Sequence, residues 1–204
     1  MEPQKSGKRS IALPITLVIL VFSLIGNVFL YSQFLQHKQE NNYEKGQRIY
    51  AAATESQQYA KEMTPLLDAF LASNTMGERL TLQFDAGKVT AKGTALTELT
   101  KEAASISVQP EKWNEKLPDS YVSEVEKGLQ AIGSYEGPLN EADQSYLTEL
   151  KNSFVAISSI LSGFNSNIGD SRIAIIRLSS GLDWIDLVEQ LQNMMMGQSE
   201  NTAS

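Results

Sequence analysis

Residues 11–31, IALPITLVILVFSLIGNVFLY, constrain every other reading of the chain. No residue from Ser10 through Gln36 carries a formal charge. About 20 mostly apolar helical residues cross the hydrocarbon core of a bilayer, and this run is long enough. Lys5, Lys8 and Arg9 come just before it, and basic residues flanking a span stay on the cytoplasmic side. The expectation is a cytoplasmic basic tail over 1–10, a transmembrane signal anchor over 11–31 and an extracytoplasmic remainder. A cleaved signal peptide is the rival reading. Its apolar region runs to about 7–15 residues and ends at a small-residue cleavage site. Here the run is longer and exits through Val28-Phe29-Leu30-Tyr31. No cysteine follows, which excludes a lipoprotein anchor. The length and the basic flank also argue against a buried core helix. Pro14 falls in the first turns, where a missing N–H costs little.

Without Glu2, Lys5, Lys8 and Arg9 the chain holds 14 basic and 23 acidic residues, a net charge of −9. Phosphate binding needs a basic face, so a nucleic-acid partner is not expected. An acidic domain also gains nothing from an anionic membrane surface. With no cysteine there is neither disulfide nor thiol chemistry.

Beyond the anchor the periodicity is helical. Ile49, Ala53, Ala60, Met63, Leu67 and Phe70 recur at spacings of three and four, interrupted by Ser56. They predict an amphipathic helix over 40–73 that continues the membrane segment. Pro65 lies on its polar side and predicts a kink rather than an end. Asn74-Thr75-Met76-Gly77 reads as a stop and turn. Residues 78–108 read as a second helix through Leu82, Ala86, Val89, Leu96 and Ala103. Leu80, Leu82 and Phe84 also alternate ahead of Asp85-Ala86-Gly87-Lys88, the pattern of a hairpin. No neighbouring strand exists to build a sheet, which favours the helix. Residues 109–118 form a loop bounded by prolines, with Trp113 either covering the end of the bundle or exposed for binding. A short helix over 120–132 follows, capped by Asp119 or Ser120 and ended by Gly133.

Asn140 caps the last helical stretch, with Glu141 and Asp143 favourable in its first turn. Two interleaved series run through it. One is Leu147, Phe154, Leu161, Ile168, Ile175 and Leu182; the other is Leu150, Ile157, Phe164, Ser171, Leu178 and Ile185. A sustained repeat near 3.5 residues implies long helices packed side by side. Locally, Gly163-Phe-Asn-Ser-Asn-Ile-Gly169 reads as a turn. Phase is given precedence, and one helix is expected from 140 to about 195, frayed or bent near 163–170. At 1.5 Å per residue it would be about 84 Å long, against about 63 Å for residues 32–73. A straight return to the membrane would therefore overshoot. The polar residues 197–204 are expected to be disordered. The fold class expected is all-α: an N-terminal transmembrane helix, then an elongated extracytoplasmic bundle of long antiparallel helices over 32–196.

Several stretches carry a family likeness. They are Glu40-Asn41-Asn42-Tyr43 outside the anchor, Leu129-Gln-Ala-Ile-Gly-Ser-Tyr, Pro138-Leu139 ahead of NEADQSYLTEL, and Leu178-Ser-Ser-Gly-Leu-Asp-Trp-Ile-Asp-Leu. In this order they resemble the N-terminal helical region of YpeB-type spore-germination proteins of Gram-positive spore formers. The resemblance implies a single-pass membrane protein with a helical ectodomain. It also implies a non-enzymatic partner that holds or stabilises a spore-cortex-lytic enzyme. That family carries C-terminal PepSY-type modules, which a chain stopping at Ser204 lacks.

No catalytic, cofactor or metal-ligating set stands out. His37 is the single histidine and sits beside Lys38 next to the membrane segment, where a headgroup-level polar role is expected. Zinc without other histidines or any cysteine would need unusual ligands. Asp183, Asp186 and Glu189 fall about a turn apart; a solvated acidic face is the plainer reading and a cation site the sharper one. Trp184 is expected in the bundle. Met194-Met195-Met196 read as a frayed helix end or an adaptable contact surface. The chain is therefore expected to be a non-enzymatic, membrane-anchored interaction protein of the cell membrane or spore inner membrane. Its partners would be membrane lipid through 11–31 and an extracytoplasmic protein such as a peptidoglycan hydrolase, with a second copy of the chain as a further candidate. The alternative is a helical ligand-sensing ectodomain that signals through another membrane protein.

Overall fold

A computed structural model describes residues 12–202, with side chains described over 14–197. Lys5, Lys8 and Arg9 of the expected basic tail lie outside the described residues. All regular structure among the described residues is helical. The chain divides into two units, Met1–Asn41 and Asn42–Ser204, with the boundary inside the first helix. That helix, α1, spans Ala12–Ala72 and continues through Pro65. Pro65 is exposed, as its polar-face position predicts.

In the C-terminal unit, the part of α1 beyond Asn42 supplies the central face of the core. Ile49, Ala53, Ser56, Tyr59, Ala60, Met63, Leu67 and Phe70 have no exposed surface. The predicted stripe, including its Ser56 interruption, is thus the buried face. α2 (Met76–Thr90) follows a turn and is started by Thr75 and Glu78, each side chain bonding back to the other's end of the turn. That reciprocal pair satisfies two of the backbone N–H groups a helix start leaves open. The Asn74 and Thr75 N–H groups hold the Glu78 carboxyl below its usual range. The hairpin alternative over 80–91 is excluded by α2. A single 3₁₀ turn, Ala91–Gly93, joins α2 to α3 (Thr94–Ile106), with helical dihedrals kept throughout. Lys92 in that turn reaches Glu62 of α1 at 2.7 Å. Side chains pack closely against the turn: a Cβ on Gly93 would stand 2.7 Å from Val122 and 3.2 Å from Tyr59.

α4 (Leu117–Ala131) starts two residues earlier than the expected cap, with Pro118 in its first turn, and ends at Gly133 with φ +76° as predicted. α5 (Glu141–Leu161) begins at Asn140, whose Oδ1 accepts from the Asp143 N–H at 2.7 Å.

The expected continuous helix from 140 to 195 is not formed. α5 stops at Leu161, α6 covers only Arg172–Leu178, and α7 starts at Ile185. At the first break Asn165 Oδ1 accepts from the Asn167 N–H, and Ser171 Oγ starts α6 by accepting from the Ala174 N–H. Polar side chains that compete for local backbone groups win over apolar phase here. At the second break Gly181 (φ +80°) and Asp183 (φ +70°) take left-handed conformations that no helix contains. The all-α class is as expected, but of the long helices expected only α1 is formed at such length; α2 to α7 have 7 to 21 residues. α7 runs on to Thr202 rather than ending in a disordered segment at 197.

Tyr59 packs edge-on against Phe154 at 5.2 Å, and Tyr121 lies 6.3 Å from the same ring. Burial pushes both phenols well above their ordinary range, and Tyr121 and Tyr146 nearby push Tyr59 further. An unfolded chain ionises these phenols above about pH 10 while the folded one keeps them neutral. Because the folded pKa is the higher, stability is intact below pH 10 and is lost as the pH rises past it. The slope is about 1.4 kcal/mol per pH unit for each phenol, so about 3 kcal/mol for the pair. Urea unfolding repeated between about pH 9 and 11 checks this; an unchanged stability contradicts the burial.

Candidate functional site

In the N-terminal unit α1 is the one helix, among the described residues, that is long and apolar enough to cross a membrane, and none of its most apolar window is buried. Fifteen large apolar side chains from Ile15 to Leu35 are exposed, Phe22 at 69% and Leu30 at 64% among them. Burying such a side chain is worth about 1.5–3 kcal/mol, so covering this face gains on the order of tens of kcal/mol. A patch this size marks an interaction or membrane surface. His37 lies beyond it on the same helix and is exposed.

The C-terminal unit is held by side chains that satisfy the backbone at each helix break. Gln57 of α1 donates to the carbonyls of Leu161 (2.7 Å) and Phe164 (3.0 Å), ending α5. The Tyr50 hydroxyl donates to Ser166 O at 2.8 Å in the same turn. Gln83 of α2 donates to Leu129, Gln130 and Ile132 carbonyls at the end of α4. Arg79, fully buried, donates to the carbonyls of Gly133 (3.2 Å), Gly137 (2.9 Å) and Tyr135, and its guanidinium lies 4.9 Å from the Tyr135 ring centre. Tyr135 in turn donates to Asp143 Oδ2 at 2.7 Å. These helix ends would otherwise leave carbonyls without intrahelical partners.

A cleft of about 630 Å³ lies among the end of α3, the 107–113 loop, the 180–183 turn and one face of α7. Its walls are fixed by Gln192, whose Oε1 accepts from the Asn114 N–H (2.7 Å) and whose Nε2 donates to Lys112 O (2.9 Å). The turn is fixed by Trp184, buried, with Nε1 donating to Leu178 O at 2.8 Å. Trp113 is partly buried against the core, so it covers the end of the bundle rather than standing free. Val108 and Leu182 give the cleft an exposed apolar rim, and Asp183, Asp186 and Glu189 an acidic one. Asp183 pairs with Arg177 at 2.8 Å. These three acids do not converge: among the described residues no group of three or more His, Cys, Asp or Glu is placed to hold a metal ion. Met195 is core and Met196 lines the cleft, so the triplet belongs to a formed helix.

The residues that sequence reasoning missed are Gln57, Gln83, Arg79 and Gln192. Two carried a signal. Arg79 lies seven residues before Ala86 in the buried stripe of α2, and Gln192 sits among Val188, Leu191 and Met195 on the buried face of α7. A polar residue at an apolar seam position points to a buried hydrogen-bonding role. The arrangement offers surfaces for contact: an apolar helix face in one unit and an open cleft with an acidic rim in the other. Comparison with models of known families, with characterised proteins and with solved structures finds no match.

Proposed function

We propose that the protein is a membrane-anchored, non-enzymatic interaction protein. Residues 11–31 lie in lipid with the N-terminus cytoplasmic, and the helical unit beyond Asn42 meets a protein partner on the extracytoplasmic side. The observation that carries this reading is the exposed apolar face of α1 from Ile15 to Leu35. Orientation is supported by Lys5, Lys8 and Arg9 just before the run. Resemblance to YpeB-type proteins suggests that the partner is a cell-wall hydrolase of the spore-cortex kind. The test is purification of the tagged full chain from membranes in mild detergent. One specific extracytoplasmic protein should co-purify in near-stoichiometric amount; recovery of the chain alone would contradict the reading.

The cleft of about 630 Å³ favours a second reading, a ligand-sensing ectodomain that signals through another membrane protein. Its volume is in the range of small-molecule sites. A ligand-dependent rise in melting temperature, lost on Glu189→Lys, would favour this alternative.

A further inference from the structure

We infer that two copies of the chain pair through one face of the membrane segment, with Asn27 at the centre of the contact; the inference rests on the anchor reading above. Between Ile15 and Tyr31 the polar side chains, tyrosine aside, are Thr16, Ser23 and Asn27. At about 100° per residue their spacings of seven and four place all three within an arc of about 40°. Leu20, Leu30 and Phe34 fall on the same face, so residues 16, 20, 23, 27, 30 and 34 step by four and three in alternation. That is the seam of a two-helix coiled coil, and in it Asn27 occupies the position where a single asparagine fixes register and partner number. Ser23 and Asn27 are both exposed.

A primary amide in hydrocarbon needs a hydrogen-bond partner. Asn27 lies four residues inside Tyr31, about 6 Å along the axis, too deep for a short side chain to reach the headgroups. A second copy meets the need in full. An amide carries both donor and acceptor, so two Asn27 side chains facing across a two-fold axis pair reciprocally, as an isologous contact requires. Gly26 flanks the seam with nothing within 4 Å of where a Cβ would stand, leaving room beside the amides.

The absence of cysteine makes the test clean. Ser23→Cys puts one thiol on the seam and Ile25→Cys one on the opposite face of the full chain, each in native membranes treated with a mild copper oxidant. Ser23→Cys should give a disulfide dimer at twice the 22.5 kDa chain mass, and Ile25→Cys little. Adding Asn27→Leu to Ser23→Cys should lower the dimer fraction roughly 5- to 30-fold, with partial recovery in Asn27→Gln. Equal cross-linking at both faces, adducts of another mass only, or no dimer in chain that sediments with membranes would overturn the pairing and leave the anchor standing. Chain absent from the membrane fraction would overturn both.

Discussion

Arg79→Met is expected to lower the stability of the C-terminal unit by about 3 kcal/mol. The side chain is fully buried and its guanidinium serves three carbonyls of the 133–137 turn. Two effects oppose each other. Removing a buried cation relieves its desolvation, which is why buried ion pairs can be replaced by apolar groups at little cost. Here the partners are backbone carbonyls, which stay when the arginine goes. A buried carbonyl left without a donor costs about 1–3 kcal/mol; that applies in full to Gly133 and in part to the half-buried Tyr135 and Gly137, so the loss outweighs the relief. Arg79→Lys should recover little, because one ammonium cannot reproduce a planar fork aimed at three acceptors. Urea unfolding checks both; a Met variant as stable as wild type contradicts the role. The same turn restricts Gly133, where φ is +76° and a Cβ would stand 2.1 Å from Arg79 Nε.

The second large effect is expected at Gly46. A Cβ there would stand 1.9 Å from the Ile175 carbonyl oxygen and 2.7 Å from its carbon. Both neighbours are backbone, so no side-chain rotation relieves the clash and α6 must withdraw from α1. α6 has seven residues and buries Ile175 and Leu178, whose partial exposure sets a cost of about 2–4 kcal/mol for Gly46→Ala. Gly87→Ala is the control with the opposite sign. Gly87 is exposed within α2 with nothing within 4 Å, so alanine there should stabilise by up to about 1 kcal/mol. Thermal melts that move both variants the same way contradict the close approach of α1 and α6.

How much of this was legible depends on the range of the interaction. The α1 stripe, the Asn140 cap and the Gly133 stop are local and were readable from spacing and residue type. The Thr75–Glu78 cap went unread within a stretch taken as a stop and turn, although a threonine followed three residues later by glutamate marks a helix start. The break after Leu161 was misread because Phe164 and Ile168 still pack on the core from inside the turn, so the apolar series continues while the helix does not. Ser171 and Leu182, exposed in the two turns, show where the series has no helix beneath it. Gly163, Asn165 and Gly169 carried the correct signal. What the sequence could not show is that Gln57 and Tyr50, more than 100 residues earlier, reach the carbonyls of that turn. Long-range tethers of this kind have no period. The cleft is a product of such tethers, through Gln192, and was not foreseen. The exposed surface of the first helix was, because residues 11–31 are mostly apolar and none of them carries a charge.

The central claim is that residues 11–31 hold the protein in lipid, and alkaline carbonate washing of membranes from cells making the full chain tests it most directly. The account predicts that the chain stays with the membrane pellet and is released only by detergent. Release into the carbonate supernatant, or free chain in the medium beginning after Tyr31, would contradict it.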